Sequence, residues 1–171
     1  GYRTALHYLK DKFTSFYGSV SQGYKSGGVN QQPFLSDASR PYEPEFIQNF
    51  EIGLKRATKK YQTQLSAFYS LRKDQQVSVS SQQDKENPNS FLFYTGNAGS
   101  GTIQGFEWEN TLNLSSNLNM DASLGYLTTW VNKFTYFAAE GVEAIGGDRE
   151  AAMSPKMTGS VGFNFKNNSG I

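Results

Sequence analysis

The sequence predicts an all-β protein, an antiparallel up-and-down meander that forms part of the wall of a transmembrane β-barrel. Three observations point there. Apolar and polar residues alternate with period two in run after run, and the links between runs are by turns short and long. Aromatics make up 15% of a chain that is only 37% hydrophobic. Period-two alternation gives a strand one greasy face and one wet face. No uninterrupted apolar run approaches the ~20 residues that a spanning helix needs, so a helical membrane protein is excluded. A barrel is not, because its strands are apolar on one face only.

About seven strands follow in order. Tyr2 to Tyr8 and Phe13 to Lys25 flank the turn Leu9-Lys10-Asp11-Lys12, the second run alternating least cleanly. In the third run Phe46, Gln48, Phe50, Ile52 and Leu54 alternate with Ile47, Asn49, Glu51, Gly53 and Lys55. In the fourth, Tyr61, Thr63, Leu65, Ala67, Tyr69 and Leu71 alternate with Gln62, Gln64, Ser66, Phe68, Ser70 and Arg72, in the opposite parity. A tight turn at Ala57 to Lys60, pairing Arg56 with Tyr61, sets Leu54 opposite Thr63 and Ile52 opposite Leu65 and brings the two apolar faces together.

The fifth and sixth strands hold Phe106, Trp108, Leu112, Leu114 and then Leu118, Met120, Ala122, Leu124, Tyr126 on their apolar sides. The link Ser115-Ser116-Asn117 sets Leu112 opposite Met120, Trp108 opposite Leu124 and Phe106 opposite Tyr126. The seventh, Met157 to Phe165, precedes a turn-like Asn167-Asn168-Ser169-Gly170.

Links after the second, fourth and sixth strands, Ser26 to Glu45, Val77 to Thr102 and Asn132 to Lys156, are long. In a meander these fall on one rim and the short turns on the other, the arrangement of outer-membrane barrels. A soluble sandwich has no reason to sort its loops so. Burying the other face in lipid would strand Glu51, Lys55, Glu107 and Glu109 there, at ~2 to 4 kcal/mol for a Lys at the midplane. Those four, with Asp121, are expected to face a wet lumen. Phe50, Ile52, Leu54, Trp108, Leu112, Leu124 and Phe163 are expected on the outer, convex side. Tyr2, Tyr8, Tyr24, Phe46, Tyr61, Tyr69, Tyr126 and Trp130 fall near strand ends, as girdle aromatics do or as core aromatics would.

Several function classes are disfavoured. A net charge of +1 gives no electrostatic case for nucleic acid, and Arg56, Lys59 and Lys60 read as a solvated turn. There is no Cys, and His7 is the one histidine, so thiolate or multi-His metal sites and catalytic triads are absent and no enzyme activity is expected. Glu107 and Glu109 sit ~7 Å apart on one face, within reach of a glycosidase pair, but read better as carboxylates facing a wet lumen. The glycines between Gly96 and Gly105 lead into a strand instead of a helix, which weakens a phosphate-binding reading.

Several strings resemble one family. Phe16-Tyr17-Gly18-Ser19-Val20-Ser21-Gln22-Gly23-Tyr24-Lys25-Ser26-Gly27-Gly28-Val29-Asn30 is similar to a strand and loop of TonB-dependent outer-membrane receptors, particularly the ferric-siderophore type. Tyr42-Glu43-Pro44-Glu45, Asn49 to Lys55, Asn97-Ala98-Gly99, Gly105 to Glu109 and Met153-Ser154-Pro155-Lys156 resemble the same family in the same order.

The resemblance implies a plugged 22-stranded barrel, of which residues 1–171 would be roughly a third of the wall, an excerpt of the barrel domain without plug or TonB-contacting segment. It implies residence in the bacterial outer membrane, with lipid, the plug domain and the TonB complex as partners. The segment itself would bind no cofactor, and the transported ligand would be an iron chelate. Arg40, Tyr42, Phe91, Phe93 and Tyr94 are the candidate ligand-binding residues of the extracellular rim, the alternative for each being loop-to-loop packing. Two other readings stand beside it: a passive porin or structural barrel, and a secreted carbohydrate-binding β-sandwich.

Overall fold

The computed structural model describes residues 1–32, 35, 37, 40–84, 86–137 and 143–167. Its centre is a seven-stranded antiparallel sheet built from β1 (Tyr2–Leu9), β2 (Thr14–Lys25), β5 (Glu45–Ala57), β6 (Tyr61–Lys73), β9 (Gly101–Asn113), β10 (Leu118–Val131) and β13 (Met157–Phe165), neighbours in space in that order. This is the expected sequential meander. The turn-like stretch at 167–170 lies outside the described residues beyond Asn167.

The short turns set the registers. Asp11 closes the first by accepting the N–H groups of Phe13 (2.7 Å) and Thr14 (2.9 Å), an Asx arrangement that replaces strand pairing for the tip residues. Between β9 and β10 the expected pairs form: Leu112 with Met120, Trp108 with Leu124, Phe106 with Tyr126. Between β5 and β6 the register differs from the expected one by two residues, Leu54 facing Leu65 and Ile52 facing Ala67. The cause is Thr58. Its N–H donates to the Tyr61 carbonyl and its Oγ1 accepts from the Tyr61 N–H, leaving only Lys59 and Lys60 at the tip. A two-residue slip preserves parity, so the faces stay as expected.

The long links are not plain loops. They carry three further hairpins, β3 (Gly28–Val29) with β4 (Pro41–Tyr42), β7 (Gln76–Gln82) with β8 (Phe91–Asn97), and β11 (Phe134–Phe137) with β12 (Glu143–Gly146). The first two prolong the sheet's own registers across short breaks. Lys25 pairs with Glu45 and Gly28 with Tyr42; Arg72 pairs with Gly101 and Gln76 with Asn97. Asp74, at φ 52°, interrupts the second of these strands. A left-handed residue bends the chain without a change of partner. The third hairpin is offset, because Thr128 to Trp130 face the longer segment Glu150 to Pro155, in which Met153 has φ 57°.

The two faces of the sheet divide as expected. Cross-strand pairing puts Phe50, Ile52, Leu54, Trp108, Leu112, Leu124 and Phe163 on one side, and Glu51, Lys55, Glu107, Glu109 and Asp121 on the other. The apolar side is bare: Leu6 is 79% exposed, Ile52 67% and Phe163 64%. Ser19, Ser66, Ser70 and Thr129 on the polar side are buried. That inverts a soluble protein, where the apolar face is covered, and fits a sheet whose outer solvent is hydrocarbon.

Candidate functional site

On the polar face, small residues make room for large ones. An ideal Cβ on Gly53 would lie 2.2 Å from Cε1 of Tyr17, so the Tyr17 ring lies across the glycine. There its hydroxyl donates to Glu51 (2.7 Å), the Lys55 Nζ sits 5.6 Å from the ring centroid, and His7 stacks at 5.9 Å. At Gly105 a Cβ would meet the Tyr126 carbonyl oxygen at 2.2 Å and the Phe68 ring at 3.0 Å. Asp121 accepts from Thr111 Oγ1 (2.7 Å) and Asn164 Nδ2 (2.5 Å). Glu107 and Glu109 stand exposed one step apart on β9. The wall therefore presents a hydrogen-bonding surface with available carboxylates.

The rim of long hairpins is stitched by polar side chains. Asn30, buried at 7% exposure, donates to the Thr95 carbonyl and accepts the Thr95 N–H, both at 2.8 Å, and also donates to the Arg40 carbonyl (3.1 Å). Gln32 donates to the Phe93 carbonyl (2.8 Å). Lower down, Asn97 accepts the Glu43 N–H (2.7 Å) and donates to the Glu43 and Asp74 carbonyls. Buried Glu45 pairs with Arg72 and accepts the Gln76 N–H (3.0 Å). Such partners let backbone groups of two hairpins be shielded without a shared ladder.

The five candidate rim residues do not converge. Tyr94 belongs to the small core of the β7–β8 hairpin with Val79 and Leu92, against which Leu35, Val77 and Tyr136 pack. Phe91 and Phe93, three and one residues away, are exposed at 49% and 59%. Arg40 pairs with Asp37 (3.3 Å) and donates to the Leu35 carbonyl. Tyr42 lies over Gly28, its Oη 2.5 Å from where a Cβ would be.

An open cleft of about 840 Å³ instead lies between β7 and the β11–β12 hairpin, above the ends of β9 and β10. Ile103, Leu127, Trp130, Phe134, Tyr136 and Arg149 are among its lining residues, and none of the five candidates is. Phe134-x-Tyr136 is a short aromatic alternation inside the link from Asn132 to Lys156; it was the one sequence signal for this hairpin.

A family model described as TonB dependent receptor-like, beta-barrel matches residues 2–170. The chain belongs to the TonB-dependent receptor barrel family. No curated protein matches the sequence. Among solved structures, the chain is similar to the ferric yersiniabactin uptake receptor FyuA from Yersinia pestis, at TM-score 0.72 and 19% identity, covering 95% of this chain and 22% of that one. It is also similar to the ferripyoverdine receptor of Pseudomonas aeruginosa, at TM-score 0.64 and 17% identity over 98% and 20% of the two chains, and to the copper transporter OprC, at 0.60 and 17% over 74% and 20%. At such identities the likeness is one of fold. The chain spans about a fifth of the length of these structures. Membership in the TonB-dependent receptor barrel family places it in the outer membrane of a Gram-negative bacterium, with the apolar face toward lipid and the hairpin rim outside.

Proposed function

We propose that the whole receptor containing this wall captures a scarce nutrient, a ferric siderophore, at its extracellular mouth and passes it inward with energy supplied through TonB. The cleft between β7 and the β11–β12 hairpin supports this best. Its rings, Trp130, Phe134 and Tyr136, set among hydroxyl side chains, with Arg72 and Arg149 against the single acid Glu150, suit a flat, anionic chelate, which stacks on rings and needs a cation for its charge. Two of the similar structures being receptors for ferric chelates favours the same ligand class. The plug domain is the partner for the lumen carboxylates Glu107 and Glu109. In this reading the segment itself holds no resident cofactor and performs no covalent chemistry.

Uptake of a labelled ferric siderophore by cells that carry the full-length receptor as their only route tests the proposal. Saturable uptake that disappears when TonB is deleted is the expected result. Unsaturable uptake that ignores TonB would make the barrel a passive pore.

A further inference from the structure

Charge is distributed unevenly between the two rims. The ion pairs among the described residues, Arg40 with Asp37, Arg72 with Glu45 and Lys156 with Glu150, all lie at the long-hairpin end. The turn end has Lys10, Lys12, Arg56, Lys59 and Lys60, and among the described residues none of them has an ion-pair partner. Asp11, the acid in these turns, accepts the Phe13 and Thr14 N–H groups and lies near enough to Arg56 to feel its charge, without forming an ion pair with it.

Arg56 is the informative member. Its parity puts it on the lipid-facing side, beside Thr14 of β2 and Thr63 of β6. Nε donates to the Tyr61 hydroxyl (2.7 Å) and Nη1 to Thr14 Oγ1 (2.6 Å). A guanidinium has five N–H groups in a planar fork, so these two bonds aim it and leave others for an acceptor from outside. The next residues toward the membrane centre on the same face are Phe16, Leu54 and Leu65. The first two turns touch, Ala57 N–H donating to the Phe13 carbonyl (2.9 Å), with the Lys12 ammonium over the Phe13 ring and Lys59 and Lys60 on the far side against Asn113.

We infer that the outer surface at the β1–β2 and β5–β6 turns is a binding site for an anionic glycerophospholipid of the periplasmic leaflet, its phosphate on Arg56 and the turn lysines and its acyl chains along Phe16, Leu54 and Leu65. A phosphate takes the bidentate geometry that an oriented arginine offers, and neighbouring ammonium groups add a second, screened attraction. The adjoining apolar band selects an amphiphile over a free anion.

The test uses the full-length receptor in detergent, with lipid retention read by native mass spectrometry against equimolar phosphatidylglycerol and phosphatidylethanolamine. Severalfold preference for phosphatidylglycerol is expected. The variant Lys59→Gln/Lys60→Gln should reduce it, Arg56→Gln should abolish it, and Arg56→Lys should restore part. Lys73→Gln, the same charge change on the lipid-facing row of the opposite rim, should leave it unchanged. Gel migration of unheated samples confirms that each variant is a folded barrel; a variant that misfolds is replaced by the milder Arg56→Lys comparison. Equal retention of the two lipids, a preference that survives loss of the turn cations, or equal damage from Lys73→Gln would overturn the site. Displacement of lipid by millimolar inorganic phosphate would reduce it to a free-anion site. None of these outcomes bears on siderophore uptake.

Discussion

Gly53 is where a single atom decides the local wall. A side chain there would displace the Tyr17 ring and with it the hydrogen bond to Glu51 and the stacking on His7. Gly53→Val should cost ~1 to 3 kcal/mol by overpacking, measured as urea unfolding of the full-length barrel in detergent. In a Tyr17→Ala background the same change should cost much less, since the clash is gone. Equal costs in both backgrounds would mean that the ring is not what excludes a side chain.

Asp11 gives a pH-dependent counterpart. The Phe13 N–H, first among its contacts, holds its carboxyl below the ordinary carboxylate value. A depressed folded-state value means that the turn's stabilisation is complete above the unfolded pKa of about 3.9 and is lost as pH falls through the folded one. The Phe13 and Thr14 amide resonances should therefore move on acidification below about pH 4, and in Asp11→Asn they should not titrate.

At the scale of elements, the extracellular hairpins depend on Asn30. Asn30→Ala would leave the Thr95 N–H and carbonyl without their partner in a half-buried setting, at about 1 kcal/mol or somewhat more. Limited proteolysis should then cut between β7 and β8 faster while the barrel strands stay protected; unchanged cleavage would show that the hairpins do not rely on each other. Core packing also limits what can be trimmed. Excising Pro88 to Tyr94 would remove Leu92 and Tyr94 and collapse the hairpin's core, so only the tip before Phe91 is dispensable.

The sheet was legible because half-buried strands write their faces into sequence with period two, and parity survives even where Thr58 moves a register by two residues. The hairpins were hidden for a local reason. Val77, Val79 and Ser81 alternate, but Asp74 bends the chain first, and β3 and β4 are two residues long, too short to show a period. The cleft was missed because its lining comes from separate elements, joined only by the offset of the third hairpin.

At the scale of the whole molecule, the sheet formed by the described residues has two open edges, β1 and β13, and an apolar face over which none of the described residues folds. Unpaired N–H and C=O groups along an edge recruit further strands, and a bare apolar face recruits more apolar surface. Within the described residues the one small hydrophobic core sits in the β7–β8 hairpin, not under the sheet. A sheet without a covered core has too little buried area to offset the entropy of ordering its backbone in water. Residues 1–171 expressed alone should therefore aggregate in plain buffer and become soluble only with detergent, which replaces the lipid along Phe50, Ile52, Trp108 and Phe163. Size-exclusion chromatography with and without micelles checks this. A sharp monomeric peak in detergent-free buffer, together with cooperative thermal unfolding, would mean that the apolar face finds a protein partner and that the sheet folds back on itself as a sandwich.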